Sequence, residues 1–333
     1  MLQATAQAMV APGKGVLAID ESHGTCTKRF EALGVTCDEE SRRAYRGLLV
    51  TTPGIEEAIS GYIMYDETLR QSTDDGIPFP QVLSSKGMIP GIKVDTGAKD
   101  LALHPGEKVT EGLDGLRERL AEYFELGARF AKWRSVITIG ENMPSQACLI
   151  ANAHGLARYA ALCQEAGLVP MVEPEILIEG DHSIEECYEV STRTWKVLFE
   201  QLEEQGVALE GTILKTSMII SGKGAADRAD AQTVAEMTLT GLKETVPAHL
   251  AGVVFLSGGQ SPEESTIHLD LMNKMGDLSW PLSFSYGRAI QGPCLELWAK
   301  DQSAIEAAQS ALLHRAMMNG QAARGEYDPT LDA

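Results

Sequence analysis

Several kinds of sequence feature are scarce or absent in this chain of 333 residues. No apolar run approaches the ~20 residues that a membrane-crossing helix needs, which argues against a membrane protein. The opening MLQATAQAMVAPGKG lacks the charged start, apolar stretch and cleavage site of a secretory signal, so we expect no signal peptide. Lys and Arg number 28 against 47 Asp and Glu, a formal net charge of −19, whereas a general nucleic-acid binder carries a basic face.

Metal-binding and disulfide motifs are missing as well. The six cysteines include no C-x-x-C pair, which indicates reduced thiols in a cytoplasmic protein. The seven histidines are scattered without the spacing of metal ligands, so we expect no metal site. Hydrophobic residues at 44% and charged residues at 23% are typical of a soluble globular protein with a large core.

Eight short apolar segments recur along the chain, and their starts lie roughly 30 to 44 residues apart. Each has the length of a buried strand, and each interval has room for a helix with its loops. The segments are 15–20, 59–65, 88–95, 128–137, 168–176, 211–218, 252–259 and 281–288.

Several of the intervals show the pattern of an amphipathic helix. Leu116, Leu120 and Phe124 follow a 3.6-residue period, and Ser261 followed by Pro262 predicts a helix start. The alternation of strand and helix predicts an α/β fold of the (β/α)8 TIM-barrel type. A helical solenoid is disfavoured because the units share no repeated motif. A doubly wound open sheet is the main rival, although no G-x-G-x-x-G turn follows the first strand.

The domain organisation follows from the even composition. No linker, low-complexity segment or shift in composition divides the chain, so we expect a single barrel domain over residues 1–333. The tail from about 321 to 333 is expected to be partly mobile.

Charged side chains fall late in most of the apolar segments. Residues two apart on a strand share a face, so these side chains would ring the carboxyl end of a barrel, where this architecture has its active sites. A buried charge is costly unless it is paired, so a whole ring of charges indicates function rather than packing. The ring comprises Asp20, Lys93, Lys132, Arg134, Glu173, Glu175 and Lys215.

A lysine in such a ring suits Schiff-base chemistry. Burial and a nearby cation both favour the neutral amine, which can attack a carbonyl carbon. Lys215 is the better candidate because it lies among Ile213, Leu214 and Met218. The residues by themselves leave the choice between Lys215 and Lys132 nearly open.

Two regions are candidate anion sites. The last two strand segments end in SGGQ (257–260) and SYGR (285–288), the loops that usually bind phosphate in this architecture, and Arg288 suits a bidentate contact. After the first segment, a helix start with solvated charges is as good an interpretation as a second anion patch. The side chains of that patch are Ser22, Thr25, Lys28 and Arg29.

These motifs resemble the class I fructose-bisphosphate aldolases. The resemblance runs in order from about residue 13 to about 325 through GVLAIDES, FPQVLSSKG, GIKVDTG, FAKWR, VPMVEPEIL, LEGTILK, FLSGGQS and SFSYGRA. It implies a TIM barrel, usually a homotetramer, that reversibly cleaves fructose 1,6-bisphosphate without a metal ion or other cofactor.

The resemblance also implies roles for individual residues. Lys215 of LEGTILK would form the Schiff base, Glu173 would act as acid and base with help from Glu175, and Asp20 would position substrate during carbon–carbon cleavage. Lys132 and Arg134 would lie beside the nucleophile and substrate, Lys93 would serve the C6-phosphate side, and the C1 phosphate would meet Ser257, Gly258, Gly287 and Arg288.

The chain departs from the family pattern at three places. Thr216-Ser217 stand where Pro-Asn commonly follows the Schiff-base lysine, and Thr25 replaces a usual serine. Many members end in a tyrosine that assists proton transfer, whereas this chain ends in DPTLDA and Tyr327 does not match that position.

Three other functions deserve comparison with the aldolase. A transaldolase-type transferase would need only one phosphate site. A metal-dependent aldolase or hydrolase would be sensitive to chelators, and the scattered histidines argue against it. A non-catalytic scaffold that uses the acidic surface would survive the loss of Lys215.

Overall fold

Ten strands run through the computed structural model, which describes residues 1–332. Eight of them are parallel and close into a barrel, in the order β1-β10-β9-β8-β7-β6-β3-β2, while β4 and β5 form a separate antiparallel hairpin. The strands are β1 (Gly15–Ile19), β2 (Ile59–Met64), β3 (Ile89–Lys93), β4 (Gly97–Asp100), β5 (Lys108–Glu111), β6 (Phe130–Ile137), β7 (Val169–Ile176), β8 (Ile213–Thr216), β9 (Gly252–Phe255) and β10 (Leu282–Tyr286).

Helices fill the intervals between the barrel strands and surround the barrel. They are α1 (Leu2–Met9), α2 (His23–Ala32), α3 (Glu39–Thr51), α4 (Asp66–Leu69), α5 (Phe79–Ser85), α6 (Leu116–Glu125), α7 (Gln146–Glu165), α8 (Ile184–Glu204), α9 (Ala231–Thr245), α10 (Pro262–Met275), α11 (Arg288–Lys300) and α12 (Ile305–Ala322). The predicted start of α10 is confirmed, because the Ser261 hydroxyl accepts a hydrogen bond from the Glu264 amide and Pro262 opens the helix.

The closed barrel confirms the predicted TIM-barrel fold. An open sheet would leave two edge strands, whereas each of the eight strands here has a neighbour on both sides. Each barrel strand lies within one of the eight predicted segments, though most of the strands are a few residues shorter than the segments. Side chains at the ends of the segments, such as Asp20 and Asp95, therefore stand just beyond the last paired residue.

The interior of the barrel is apolar at its amino end and polar at its carboxyl end. Inward side chains from six of the strands, together with Ala6, Met9 and Val10 in and after α1, form one buried cluster, and the partly buried Ile89 of β3 packs against it. Ala18, Ile63 and Met171 belong to this cluster. Since residues two apart share a face, the next inward positions toward the carboxyl ends are those of the predicted ring.

Some elements of the structure were not predicted from the sequence. The hairpin β4–β5 and helix α1 were not predicted, because both are short and neither carries a marked apolar period. All six cysteines are free. Within residues 1–332, no helix combines the length and apolar character needed to cross a bilayer.

Candidate active site

A cavity of about 570 Å³ opens at the carboxyl end of the barrel strands. It contains the side chains of all seven members of the predicted ring: Asp20, Lys93, Lys132, Arg134, Glu173, Glu175 and Lys215. The alternation of strand faces thus brings together residues that are up to 195 positions apart in sequence, from Asp20 to Lys215.

Two lysines and two carboxylates form the buried centre of this cavity. The Lys215 ammonium lies 3.1 Å from Glu173 Oε1, and the Lys132 ammonium lies 3.3 Å from Glu173 Oε2. Lys132 also lies 2.7 Å from Asp20 Oδ2. Glu173 therefore bridges the lysines, and Lys132 has two carboxylate partners whereas Lys215 has one.

The charges of this centre fix its protonation. Burial alone would raise the pKa of Asp20, but the ammonium groups of Lys132 and Lys215 lower it to about 2. Burial lowers the pKa of Lys132, yet the carboxylates of Asp20 and Glu173 outweigh it and raise that pKa above its ordinary value. The pKa of Glu173 is lowered in spite of burial, by Lys132 and Lys215. Lys132 is thus a permanent cation between two anions.

The end of β8 is anchored by the two residues that depart from the family pattern. The Thr216 hydroxyl accepts a hydrogen bond from Trp195 Nε1 at 3.0 Å. The Ser217 hydroxyl donates to the Ile176 carbonyl oxygen at 2.9 Å and so ties β8 to β7. Since both hydroxyls are satisfied within the protein, they hold the backbone on which Lys215 stands.

Two more ion pairs line the cavity wall. Arg134 pairs with Glu175 on the neighbouring strand. Lys93 lies 2.6 Å from Asp95 Oδ1, and the Asp95 carboxylate also accepts from the Gly97 and Arg134 amides. Asp95 was not among the predicted site residues, although its position two residues after Lys93 put it on the same face.

The loops after β9 and β10 expose backbone amides and one unpaired cation. Ser257, Gly258, Gly287 and Arg288 all line the cavity, as predicted for a phosphate site. Gly258 has a φ of +38°, a conformation that a side chain disfavours, so the loop depends on glycine there. Arg288 begins α11, whose amino-terminal end carries partial positive charge, and its side chain has no ion-pair partner within residues 1–332.

The first-strand patch is only partly assembled in the cavity. Ser22, Thr25 and Arg29 line it, and the hydroxyls of Ser22 and Thr25 lie 3.3 Å apart. Arg29 is already paired with Glu21, which the sequence interpretation missed. Lys28 is exposed and is not among the lining residues, because its position on α2 turns it away from the cavity.

Tyr65, directly after β2, is another lining residue that was missed. It follows the inward-facing Ile63 by two positions, so the rule that identified the charged ring would have found it. It was passed over because it carries no charge.

The C-terminal segment lies away from the cavity. Tyr327 is 6% exposed, and its hydroxyl donates to Asp332 Oδ2 at 2.6 Å. Asp332 also pairs with Arg315 and His314. Tyr327 is thus absent from the cavity lining, and position 333 lies outside the described residues. The predicted mobility of the tail stays a prediction.

The charged groups that line the cavity are ammonium, guanidinium and carboxylate groups. Within residues 1–332, no three histidine, cysteine or acidic side chains form a group that could hold a metal ion. Such a site can bind anions at two ends and move protons between them, with a primary amine at its centre.

Known proteins with similar sequences and structures share one activity. The family model named Fructose-bisphosphate aldolase class-I matches residues 1–333. A probable fructose-bisphosphate aldolase class 1 of Xanthomonas campestris pv. campestris is 61% identical over 327 residues, 98% of each chain. A muscle-type fructose-bisphosphate aldolase of Lethenteron camtschaticum is 48% identical over 98% of this chain and 90% of its own length.

A solved structure has nearly the same fold as this chain. The fructose-bisphosphate aldolase of Plasmodium falciparum, crystallised with TRAP and a small-molecule inhibitor, superposes with a TM-score of 0.97 at 45% identity, covering 98% of this chain and 95% of that one. These matches confirm the resemblance that the motifs indicated. The chain therefore belongs to the class I fructose-bisphosphate aldolases, metal-independent lyases of glycolysis and gluconeogenesis that reversibly cleave fructose 1,6-bisphosphate to dihydroxyacetone phosphate and glyceraldehyde 3-phosphate through a lysine Schiff base.

Proposed function

We propose that Lys215 is the amine that forms the Schiff base in this chain. The observation that carries the assignment is the unequal pairing of the two buried lysines. Lys132 forms ion pairs with both Asp20 and Glu173, whereas within residues 1–332 Lys215 forms one with Glu173 alone. Deprotonating Lys132 would break two close ion pairs and deprotonating Lys215 only one, so Lys215 is the lysine that more readily supplies a neutral nucleophile.

Glu173 carries the proton in the steps that form and remove the Schiff base. Its Oε1 lies 3.1 Å from the Lys215 nitrogen, within reach for direct transfer. The carboxylate takes one proton from the Lys215 ammonium, and the neutral amine attacks the C2 carbonyl carbon of the substrate. A second proton passes from the nitrogen to the C2 oxygen and forms the carbinolamine hydroxyl. Glu173 then gives its proton to that hydroxyl, which leaves as water, and the iminium ion remains. The adjacent Lys132 cation favours the return of Glu173 to its charged form.

Asp20 and Glu175 act on the rest of the substrate. The Asp20 carboxylate, whose pKa is about 2, stays charged and accepts a hydrogen bond from the C4 hydroxyl. The Glu173 carboxylate, charged again after water has left, takes the C4 hydroxyl proton as the C3–C4 bond breaks. The aldehyde is released, the bonding electrons remain in an enamine on Lys215, and Glu173 holds the proton that later goes to C3. Glu175, held by Arg134, assists Glu173 from the next inward position of β7. Protonation of the enamine at C3 and addition of water then release dihydroxyacetone phosphate.

The two phosphates of the substrate occupy opposite sides of the cavity. The C1 phosphate binds the loops after β9 and β10, through Ser257, Gly258, Gly287 and Arg288. The C6 phosphate lies toward Lys93 and the loop after β1, where Ser22, Thr25 and Arg29 line the cavity. Lys28 is the weakest member of this set because it is exposed outside the lining.

Borohydride trapping tests the assignment of the nucleophile. Wild-type protein treated with sodium borohydride and dihydroxyacetone phosphate should lose activity irreversibly and gain one covalent adduct, located on Lys215 by peptide mass spectrometry. Lys215→Met should remove both cleavage activity and adduct while the fold is retained. Lys223→Met, at an exposed lysine of the following loop, serves as the matched control and should behave as wild type. An adduct on Lys132, or an active Lys215→Met enzyme, would contradict the assignment.

Assembly, location and domain organisation are parts of the same proposal. A homotetramer is supported by the family, in which it is the typical assembly, and sedimentation velocity should give a mass near four times that of the chain. A cytoplasmic location is supported by the six free cysteines and by relatives of Arabidopsis thaliana that are named cytosolic. The chain is proposed to be one barrel domain, with residues 321–333 as a partly mobile tail.

A further inference from the structure

Strand β2 places an aromatic residue at the inward position where its neighbours place charged groups. The register pairs Met64 with Ile19 on β1 and with Ile92 on β3. The following residues, Asp20, Tyr65 and Lys93, therefore stand side by side at the carboxyl ends of three adjacent strands. Tyr65 is the one aromatic ring that lines the cavity within the described residues.

The ring of Tyr65 is held on its outer side by groups that do not belong to the reacting centre. His23 packs against it edge to face, with ring centroids 5.2 Å apart. The Arg46 guanidinium lies 5.9 Å from the ring centroid and is itself 1% exposed, paired with Glu67. These contacts fix the ring in the cavity wall, which is the condition for a hydroxyl group to act in binding at small entropic cost.

The hydroxyl group of Tyr65 is left available for a ligand. Within residues 1–332 it has no hydrogen-bond partner in the protein, whereas the hydroxyls of the buried Tyr45, Tyr62 and Tyr286 each donate to an internal acceptor. Tyr65 itself is partly exposed, toward the cavity. The Tyr65 hydroxyl group can therefore donate one hydrogen bond to a ligand bound in the cavity.

The position of β2 in the barrel decides which end of the substrate it meets. In the closed order of eight strands, β2 lies four places from β8 and so stands opposite Lys215. Its two neighbours carry Asp20 and Lys93, while β9 and β10 carry the loops of Ser257 and Arg288. A substrate joined to Lys215 at C2, with its C1 phosphate at Arg288, extends its C4–C6 half toward β2.

We propose that Tyr65 is a specificity-determining residue whose hydroxyl donates a hydrogen bond to the C6-phosphate end of the substrate. It thereby favours a ketose phosphorylated at both ends over a ketose 1-phosphate. This inference rests on the orientation given above, in which the C1 phosphate lies at Arg288. The Tyr65 hydroxyl adds an uncharged hydrogen-bond donor to a subsite where Arg29 and Lys93 are each already paired with a carboxylate.

Tyr65→Phe tests the proposal because it removes only the hydroxyl group. Within residues 1–332 that hydroxyl makes no hydrogen bond to the protein, so the variant should fold and unfold as wild type does. We expect kcat/KM for fructose 1,6-bisphosphate to fall about tenfold, mainly through KM, the size typical of a hydrogen bond to a charged group. The value for fructose 1-phosphate should stay within twofold of wild type. Tyr188→Phe, whose hydroxyl donates to Glu244 outside the cavity, is the matched control.

The remaining outcomes each refute the inference. An unchanged ratio of kcat/KM between the two substrates, whether both values fall or neither does, would show that Tyr65 does not recognise the C6 phosphate. Borohydride trapping on Tyr65→Phe separates this result from a failure of the proposed mechanism. If Lys215 is still labelled while the ratio is unchanged, the mechanism stands and only the role of Tyr65 is wrong.

Discussion

Replacing Glu173 by glutamine removes the carboxylate that links the two buried lysines. Glutamine keeps the shape of the side chain, which is 3% exposed, but offers no negative charge and cannot carry a proton between Lys215 and the substrate. Lys132 keeps its contact with Asp20 at 2.7 Å, so Lys215 is the cation left without a partner.

The size of the effect follows from these contacts. Loss of a positioned general acid and base lowers a rate by about 10²- to 10⁴-fold, or about 3–5 kcal/mol in the activation free energy. The loss should appear in kcat, because Glu173 acts on the reacting atoms and not on either phosphate. Removing one partner of a buried ion pair costs about 3–5 kcal/mol of stability when the other charge persists. Lys132 keeps its ion pair with Asp20, which limits that cost, so we expect the variant to stay folded.

Steady-state kinetics and rapid-quench trapping measure the two effects separately. Fructose 1,6-bisphosphate cleavage should show the fall in kcat at nearly constant KM, and the borohydride adduct with dihydroxyacetone phosphate should still form on Lys215 but more slowly. Glu179→Gln, at an exposed glutamate just beyond β7, should match wild type. A kcat within threefold of wild type for Glu173→Gln would refute the assignment of Glu173 as proton carrier.

Three other perturbations have definite expected results. Arg288→Ala should lower kcat/KM by about 30-fold, or about 2 kcal/mol, through KM, since the side chain is a free cation at the phosphate loops; unchanged kinetics would place the phosphate elsewhere. Burial lowers the pKa of His268 from 6.5 to about 4, so the protein should lose up to about 3 kcal/mol of stability between those pH values as the unfolded chain gains a proton that the folded chain resists. Urea denaturation of His268→Gln over that range should show a smaller loss, and an equal loss would assign the effect to other groups. Cleavage activity should survive dialysis against EDTA, whereas loss restored by a divalent metal would contradict the Schiff-base mechanism.

The sequence was sufficient for the positions of the barrel strands and for most of the site. Period-two patterns decide which side chains share a face, and Asp20, Lys132, Glu173 and Lys215 could be assigned to one ring because each lies two residues past an apolar inward position. The helix starting at Pro262 could be placed from its local capping residues. Strand periodicity and helix capping each involve residues that are close together in the chain, so the sequence shows them without the tertiary structure.

The sequence did not identify elements and contacts that depend on distant parts of the chain. The hairpin β4–β5 is too short and polar to show a period, and it exists because Asp95 and Thr96 direct the chain there over the cavity rim. Glu21 was missed because its ion pair with Arg29 is visible only in the tertiary structure. Tyr65 was missed because it carries no charge, although its position two residues after Ile63 places it on the inward face.

The amino-acid sequence alone determined that this protein is a barrel with a ring of charges at one end, because strand periodicity and the positions of charged residues can both be read directly from it. Only the tertiary structure decided how many carboxylates each of the two buried lysines contacts. Lys215 and Lys132 have the same side chain and similar apolar neighbours in sequence. They differ in the number of carboxylates that the closed barrel brings within contact distance, and electrostatic energy depends on that distance.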